Sequence, residues 1–335
     1  MPRLARTCSN FAAKFPFMFS KYLLATSFIC LSLHSFSQKK EEPTAYYDVN
    51  WKACDPLLAR FVTYLIPTDS GHLRKDYYIS NGIPQMVAHF SDKEEKIHHG
   101  PANFYFPDGK PSAVGKYLHN KRHGICLSYH PNGIVSDSAN YNYGRIVGFS
   151  MGWHANGMQS DSSFQRNDSV LASVYWFDDG SPSMAGLKIH GKNHGTWQYF
   201  YKGGGLAKKA IYQAGEEISA QYFDQEGKPM TEELDERDAF FKGGTKGWQK
   251  YFEKKLYWPA GYQFKEGNQA AVSIRFTVDE NGKVKDAYVD VPFHPEFDKI
   301  ALKALRQSEG WQPAIHHNRT VSQSHRQLVT FSQPD

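Results

Sequence analysis

Between Tyr78 and Gly227 apolar and polar positions alternate in short runs. Seven times the runs are cut by one phrase: an aromatic residue, three residues of turn chemistry, then glycine. It reads Tyr78-Ile-Ser-Asn-Gly82, Tyr105-Phe-Pro-Asp-Gly109, Tyr129-His-Pro-Asn-Gly133, Trp153-His-Ala-Asn-Gly157, Trp176-Phe-Asp-Asp-Gly180, Phe200-Tyr-Lys-Gly-Gly204 and Phe223-Asp-Gln-Glu-Gly227. From Gly109 the glycines recur after 24, 24, 23, 24 and 23 residues, and only the first gap, 27, is longer. A period of this size predicts stacked repeats. Asn or Asp before Gly supplies the left-handed backbone of a tight turn, so each unit is read as an antiparallel hairpin. A second glycine (Gly100, Gly124, Gly148, Gly195) stands five residues before the aromatic, and Phe90, Tyr117, Tyr141 and Tyr212 lie eight residues past their glycine. In Ile125–Tyr129 the alternation puts Ile125, Leu127 and Tyr129 on one face. One hairpin cannot bury such a face alone, so neighbours must stack. The column Tyr105, Tyr129, Trp153, Trp176 and Phe200 reads as the packed spine of the stack rather than a ligand groove.

After Gly227 the pattern changes. Thr231–Asp238 is acidic, and a helix is expected near Trp248–Lys255, stopping before Pro259. Val272, Ile274, Phe276 and Val278 then alternate, Asp279-Glu-Asn-Gly282 turns the chain, and Ala287, Val289 and Val291 alternate on the return. Pro295 opens a helix whose Phe297, Ile300, Ala301, Ala304 and Leu305 form a buried stripe at i, i+3, i+4, i+7 and i+8. A last strand is expected over Val321–Phe331, with Gln323, His325 and Gln327 sharing a polar parity that points to an edge or a solvent side.

At the other terminus an apolar run, Tyr22–Leu33, follows Lys21 and precedes Ser35-Phe-Ser-Gln38. This is read as a signal peptide over residues 1–37 with cleavage near Ser37–Gln38, because roughly 20 apolar residues are needed to span a bilayer comfortably. Residues 38–75 are read as a lead-in that caps the stack, with strands at Tyr47–Trp51 and Arg60–Ile66. Arg3, Arg6, Lys14 and Lys21 carry most of the formal net charge of +5, so the mature chain stands at +1. A near-neutral chain with interspersed charges gives no electrostatic case for nucleic acid. Cys54 and Cys126 could pair in an oxidising periplasm, but two separate buried thiols are expected.

Fifteen histidines invite a metal reading. His99, His123 and His194 share one register of the repeat, which suits stacked turns, and the side chains of His316 and His317 point apart on an extended chain. Gly203–Gly205 falls on the repeat period as a turn rather than a phosphate cradle, and no nucleophile motif appears. The reading is therefore a non-enzymatic chain with no cofactor and no metal.

The phrase and its spacing resemble the MORN-type repeat, in a variant found in bacterial antitoxin-like repeat proteins. The end of the chain resembles the TonB carboxy-terminal domain. Its matching residues are Tyr257-Trp-Pro259, Gly267, Val272–Val278, Asp279-Glu-Asn-Gly282-Lys-Val284, Phe297-Asp298, Ala301-Leu302 and Trp311-Gln-Pro313. The layout expected is a mainly β chain: signal peptide 1–37, lead-in 38–75, an antiparallel MORN-like hairpin array 76–232, and a small α+β TonB-like domain 236–335. The TonB resemblance implies capture of an extended peptide, such as that of an outer-membrane transporter or another envelope protein, by strand addition to the last strand. The residues so implicated are Val321, Gln323, His325, Gln327, Val329 and Phe331. The leading expectation is a periplasmic adaptor. An energy transducer held in the inner membrane by residues 22–36 is the alternative, and an antitoxin-like protein working through the array alone is a third.

Overall fold

Sixteen strands, from β1 (Ala45–Tyr47) to β16 (Pro229–Met230), form one antiparallel sheet in strict chain order. The chain is mainly β, as its alternation predicts. The computed structural model describes residues 42–92, 96–167, 169–264 and 269–333. The signal peptide, the start of the lead-in and Gly267 of the TonB-like signature lie outside the described residues.

Each phrase is a turn at one end of the sheet. In six of the seven the same pair of bonds recurs. At Tyr129–Gly133, for example, His130 N donates to Ile134 O at 2.8 Å and Gly133 N to His130 O at 2.8 Å. Gly133, at φ +90°, occupies the left-handed region that the motif requires. At the opposite end two-residue turns such as His119-Asn120, with φ +48° and +66°, match the strand twist. The longer first gap is the Ser91–Ile97 connection between β4 (Pro84–Phe90) and β5 (His98–Tyr105), where the other hairpins have tight turns. The second glycine and the late aromatic prove to be cross-strand partners: Gly100 faces Tyr117, Gly124 faces Tyr141 and Gly195 faces Tyr212. All three glycines hold positive φ, at +122°, +73° and +67°.

The turns are also tied to one another. Asn81, Asn132 and Asn156 donate their side-chain N–H to Pro107 O, Ala155 O and Asp178 O in the next turn, at 2.9, 2.6 and 2.6 Å. His130 and His154 reach Trp153 O and Trp176 O, also one unit on. The repeat is thus held by forward-pointing bonds as well as by the ladder.

Two expectations about the array change. The strand expected at Tyr47–Trp51 is instead β1 followed by a turn, in which the Asp48 carboxylate accepts from Asn50 N and Lys52 N. Ile125 does not share the packed face. The inward row of β7 (Lys121–Tyr129) runs through Cys126 and Ser128, and Ile125 is 69 % exposed on the other side. Small residues fill that inward row, with Ala88, Ala102 and Ala210 fully or nearly fully buried and Ser173 almost so. Cys54 and Cys126 are free thiols, as expected, but half-buried rather than buried.

Beyond Met230 the chain builds a second layer. β17 (Phe240–Phe241) leads to α1 (Gly244–Lys255), then the hairpin β18 (Gln269–Val278) and β19 (Val284–Val291), then α2 (Pro295–Arg306). Short strands β20 (Trp311–Gln312), β21 (Ala314–His316) and β22 (Arg319–Val321) precede β23 (Gln323–Ser332). The main sheet has the order β19-β18-β23, and the expected α2 stripe is buried against it. Val321 departs from expectation. It belongs to β22, paired with β21 around the left-handed His317-Asn318 turn, and the long last strand begins only at Gln323.

This module sits on the phrase-turn end of the array. Val291 packs with Phe61 and Tyr78, and the Arg60 guanidinium lies 4.6 Å from the Phe293 ring centre. In the middle Tyr288 meets Phe106 edge-on at 5.6 Å, and Lys285 pairs with Asp178 at 3.4 Å. At the far side Asn318 donates to Ala207 O and Phe223 O, both at 3.0 Å. The contacts run from β2 (Phe61–Thr68) to β15 (Glu216–Phe223). Thirteen strand spacings would measure roughly 60 Å if flat, against about 35 Å for a domain of this size. The sheet therefore bends around the module.

Candidate functional site

The edge strand of the module is β23. Its ten residues pair with β18 along their whole length, from Gln269↔Ser332 to Val278↔Gln323, and with no other strand among the described residues. Its other backbone row pairs with no strand among the described residues, and Leu328 O accepts from Gln327 Nε2 at 2.6 Å. Between β23 and α1 runs an open groove of about 570 Å³, lined on one side by Gln327–Ser332 and on the other by Trp248, Gln249, Phe252, Glu253, Leu256, Tyr257 and Trp258.

The helix wall follows from its sequence. Trp248 and Phe252, spaced i, i+4, turn inward to the core, with Trp248 meeting Trp311 at 4.9 Å and Phe252 at 4.3 Å between ring centres. Gln249 and Glu253 form the adjoining stripe and are exposed. Leu256 breaks the helix in an extended conformation, which carries Tyr257 and Trp258 along the floor; Trp258 then meets Phe297 edge-on at 5.0 Å.

The sequence places Gln323, His325, Gln327, Val329 and Phe331 on one parity, and the structure keeps them together. It turns that parity inward rather than to solvent. Gln323 donates to Asp238 Oδ1 at 2.7 Å and accepts from Ala239 N at 2.6 Å. Gln327 accepts from Trp248 Nε1 at 2.8 Å. His325 stacks on Phe276 at 5.3 Å, and burial pushes its imidazole down, opposed by Asp238. Val329 and Phe331 belong to the core. These residues fix the strand against β17 and α1. The opposite parity, Leu328, Thr330 and Ser332, is exposed. Val321, on β22, does not belong to this edge.

The groove residues Gln249, Glu253, Leu256 and Tyr257 went unread in the sequence. Their signal was the helix ending at Leu256 before the aromatic pair Tyr257-Trp258. Also unread was the His317-Asn318-Arg319 turn. Asn318 is fully buried, and besides its two donations accepts from Leu234 N at 3.0 Å. Arg319, 4 % exposed, donates to Ser183 O at 2.9 Å and Phe200 O at 2.6 Å. Burial lowers its guanidinium to about 10, against the pull of Tyr199 and Glu280. Their only signal was an Asn suited to a left-handed turn.

The seam between module and array leaves two clefts of about 580 and 800 Å³. Tyr129 borders the first and Trp153 and Trp176 the second, so some of the aromatic column faces the module. His130, His154, His316 and His317 border the second cleft, while His99 and His123 of the repeat register stay at separate turns. His99 meets His119 and His123 meets Tyr143, each at its own hairpin turn. His317 approaches Glu233 and Glu236 closely enough to hold an ion. Glu233, however, is already paired with the buried Lys208 at 2.8 Å, and the His317 ring stacks on Tyr199 at 4.1 Å.

Residues 263–332 match the family model described as Gram-negative bacterial TonB protein C-terminal. Residues 122–143 and 193–214 each match the MORN repeat variant. No curated protein matches the chain. The chain thus carries MORN-variant repeats ahead of a TonB-type carboxy-terminal module, and the match to that module supports a TonB-like role in the cell envelope.

Proposed function

We propose that this chain is a non-enzymatic adaptor of the periplasm. The β23 edge captures an extended peptide of an outer-membrane transporter or another envelope protein as an added strand, while the array braces the module and offers its own surface to a second partner. One observation carries the reading: β23 pairs on one side only and opens on the other into a groove walled by α1. An edge of this kind gives affinity through backbone bonds and selectivity through pockets for alternate side chains. The array meets β19 through Phe106 and Asp178 and reaches β23 at Arg326, which donates to Val49 O at 3.2 Å, so the Gln327–Ser332 stretch of β23 is the part of the edge left for a partner. Among the described residues no helix is long and apolar enough to cross a membrane. The transducer alternative turns on residues 22–36, outside the described residues, and the intact mass of the chain from its native envelope separates the two.

The edge is tested by panning a displayed library of random ten-residue peptides on the full mature chain and on two groove variants. Leu328→Pro disturbs the strand at an exposed position, and Gln249→Trp fills the groove from the helix. Enrichment on the chain that disappears on both variants, with their thermal transitions intact, is expected. Equal enrichment on all three overturns edge capture.

A further inference from the structure

We infer that the peptide taken up along β23 is acidic, an inference that rests on the strand-capture reading and specifies its partner. The helix that walls the groove is strongly and asymmetrically charged. Lys246, Lys250 and Lys254 recur at i, i+4 and i+8 and so form a single stripe, with Lys242 before the helix and Lys255 at its end. All five are exposed and none makes an ion pair among the described residues; Lys255, four residues after Tyr251, and Lys242, whose N–H donates to Gly310 O at 2.9 Å, lie on the flank away from the groove.

Their position relative to the groove follows from helix geometry. Successive residues turn about 100°, so the Gln249–Glu253 stripe lies between the buried Trp248–Phe252 stripe and the lysine stripe. The lysine stripe therefore runs along the solvent face of the helix, next to the Gln249–Glu253 stripe that walls the groove, with Lys246 and Lys250 each three residues before a groove residue, Gln249 and Glu253. Little on the opposite wall offsets them. The outward residues Leu328, Thr330 and Ser332 are uncharged, and Arg326 is held by Asp290 at 3.1 Å. Glu253 is the one acid among the residues lining the groove, and it is outnumbered by the lysines. The other acid close to this helix, Glu309, acts on Tyr251, on the flank turned away from the groove.

A lysine row beside an unpaired edge selects by charge in two ways. Basic segments are repelled before they can pair, and acidic ones are drawn in faster, an effect that salt weakens.

The same library, panned on the chain and on Lys246→Glu/Lys250→Glu/Lys254→Glu, tests the inference. The pool from the chain should be rich in Asp and Glu. A synthetic acidic peptide from it should lose about tenfold in affinity on the triple variant, a few-fold per exposed charge, and less at high ionic strength. A pool without acidic excess, or one unchanged by the reversal, overturns the acidic preference and leaves edge capture standing. If instead the stripe drives binding to vesicles of anionic phospholipid, with no charge bias in the peptide pool, the lysines serve a membrane surface and the inference fails. Absence of any enrichment over Leu328→Pro and Gln249→Trp is a separate result, and it removes the capture reading itself.

Discussion

The array and the module solve the same problem, covering one face of a sheet, in opposite ways. The module gathers eighteen buried residues, seventeen of them from seven elements and Ala239 from just before β17, into one core, so each side chain is held by partners distant in sequence. The array has only scattered nuclei, such as Met86, Ala88, Phe90 and Ala102, or Trp197, Tyr199, Ala210 and Tyr212. Between them it relies on repeated turn bonds to the next unit. In a repeat stack stability is a sum of unit and neighbour terms, whereas a single core is lost as a whole. A defect should therefore spread through the module and stay local in the array.

Phe297→Ala puts the largest load on that difference. The ring is fully buried among Trp258, Tyr262, Phe293 and Phe331, and its loss should cost about 3–5 kcal/mol. Hydrogen exchange should then show the module opening while the amides of the phrase turns remain protected. If the turns lose protection together with the module, the two regions fold as one and the contrast fails. Asn318→Ala strikes the seam and should cost about 1–3 kcal/mol, since Ala207 O, Phe223 O and Leu234 N lose their partner. Asn318→Gly keeps the left-handed turn and separates backbone strain from the lost bonds. Urea denaturation followed by tryptophan fluorescence reads both, and a change confined to the last hairpins and the module is expected.

The smallest effect is a dependence on pH. Burial against Tyr199 lowers the His317 imidazole to about 4, with Lys208 and Arg319 adding to it and Glu236 opposing. The unfolded chain, near 6.5, binds the proton more readily, so this residue's contribution is complete above about pH 6.5 and is lost as pH falls toward 4. Asp298 has the opposite sign: burial raises its carboxyl to about 6, and stability gained through it declines as pH rises through that value. The difference in melting temperature between the chain and His317→Gln across pH 4–7 isolates the histidine. It should shrink at the acidic end, and a constant difference would remove His317 as a titrating group of the seam.

Legibility followed locality. The phrase turns, the Val272–Val291 hairpin and the α2 stripe were all readable, because turn chemistry and periodicity are set by residues within a few positions of each other. The inward row of the array was not. Alternation puts Ile125, Leu127 and Tyr129 on one parity but does not say which parity packs, and the row that packs is the one of small residues, Cys126 and Ser128 with Ala88, Ala102 and Ala210. The polar parity of β23 misled for another reason. Gln323 and Gln327 look solvated until Asp238, Ala239 and Trp248 arrive from some eighty positions upstream to satisfy them. Asn318 and Arg319 gave still less, since an Asn-Arg turn is ordinary at a surface and only the docked array makes it interior. For the candidate site, the edge itself was visible and the wall opposite it was not.

The seam also acts as a ruler. An open stack of hairpins can gain or lose a unit by duplication or deletion with little penalty, because each unit answers only to its neighbours. Here the module is clasped at both extremities, by Arg60 on Phe293 and by Asn318 on Phe223. An extra hairpin would displace the last strands by about 10 Å and pull open either the first clasp or the last. Copy number in this array is therefore a fixed dimension of the molecule, measured against the width of the domain it encircles.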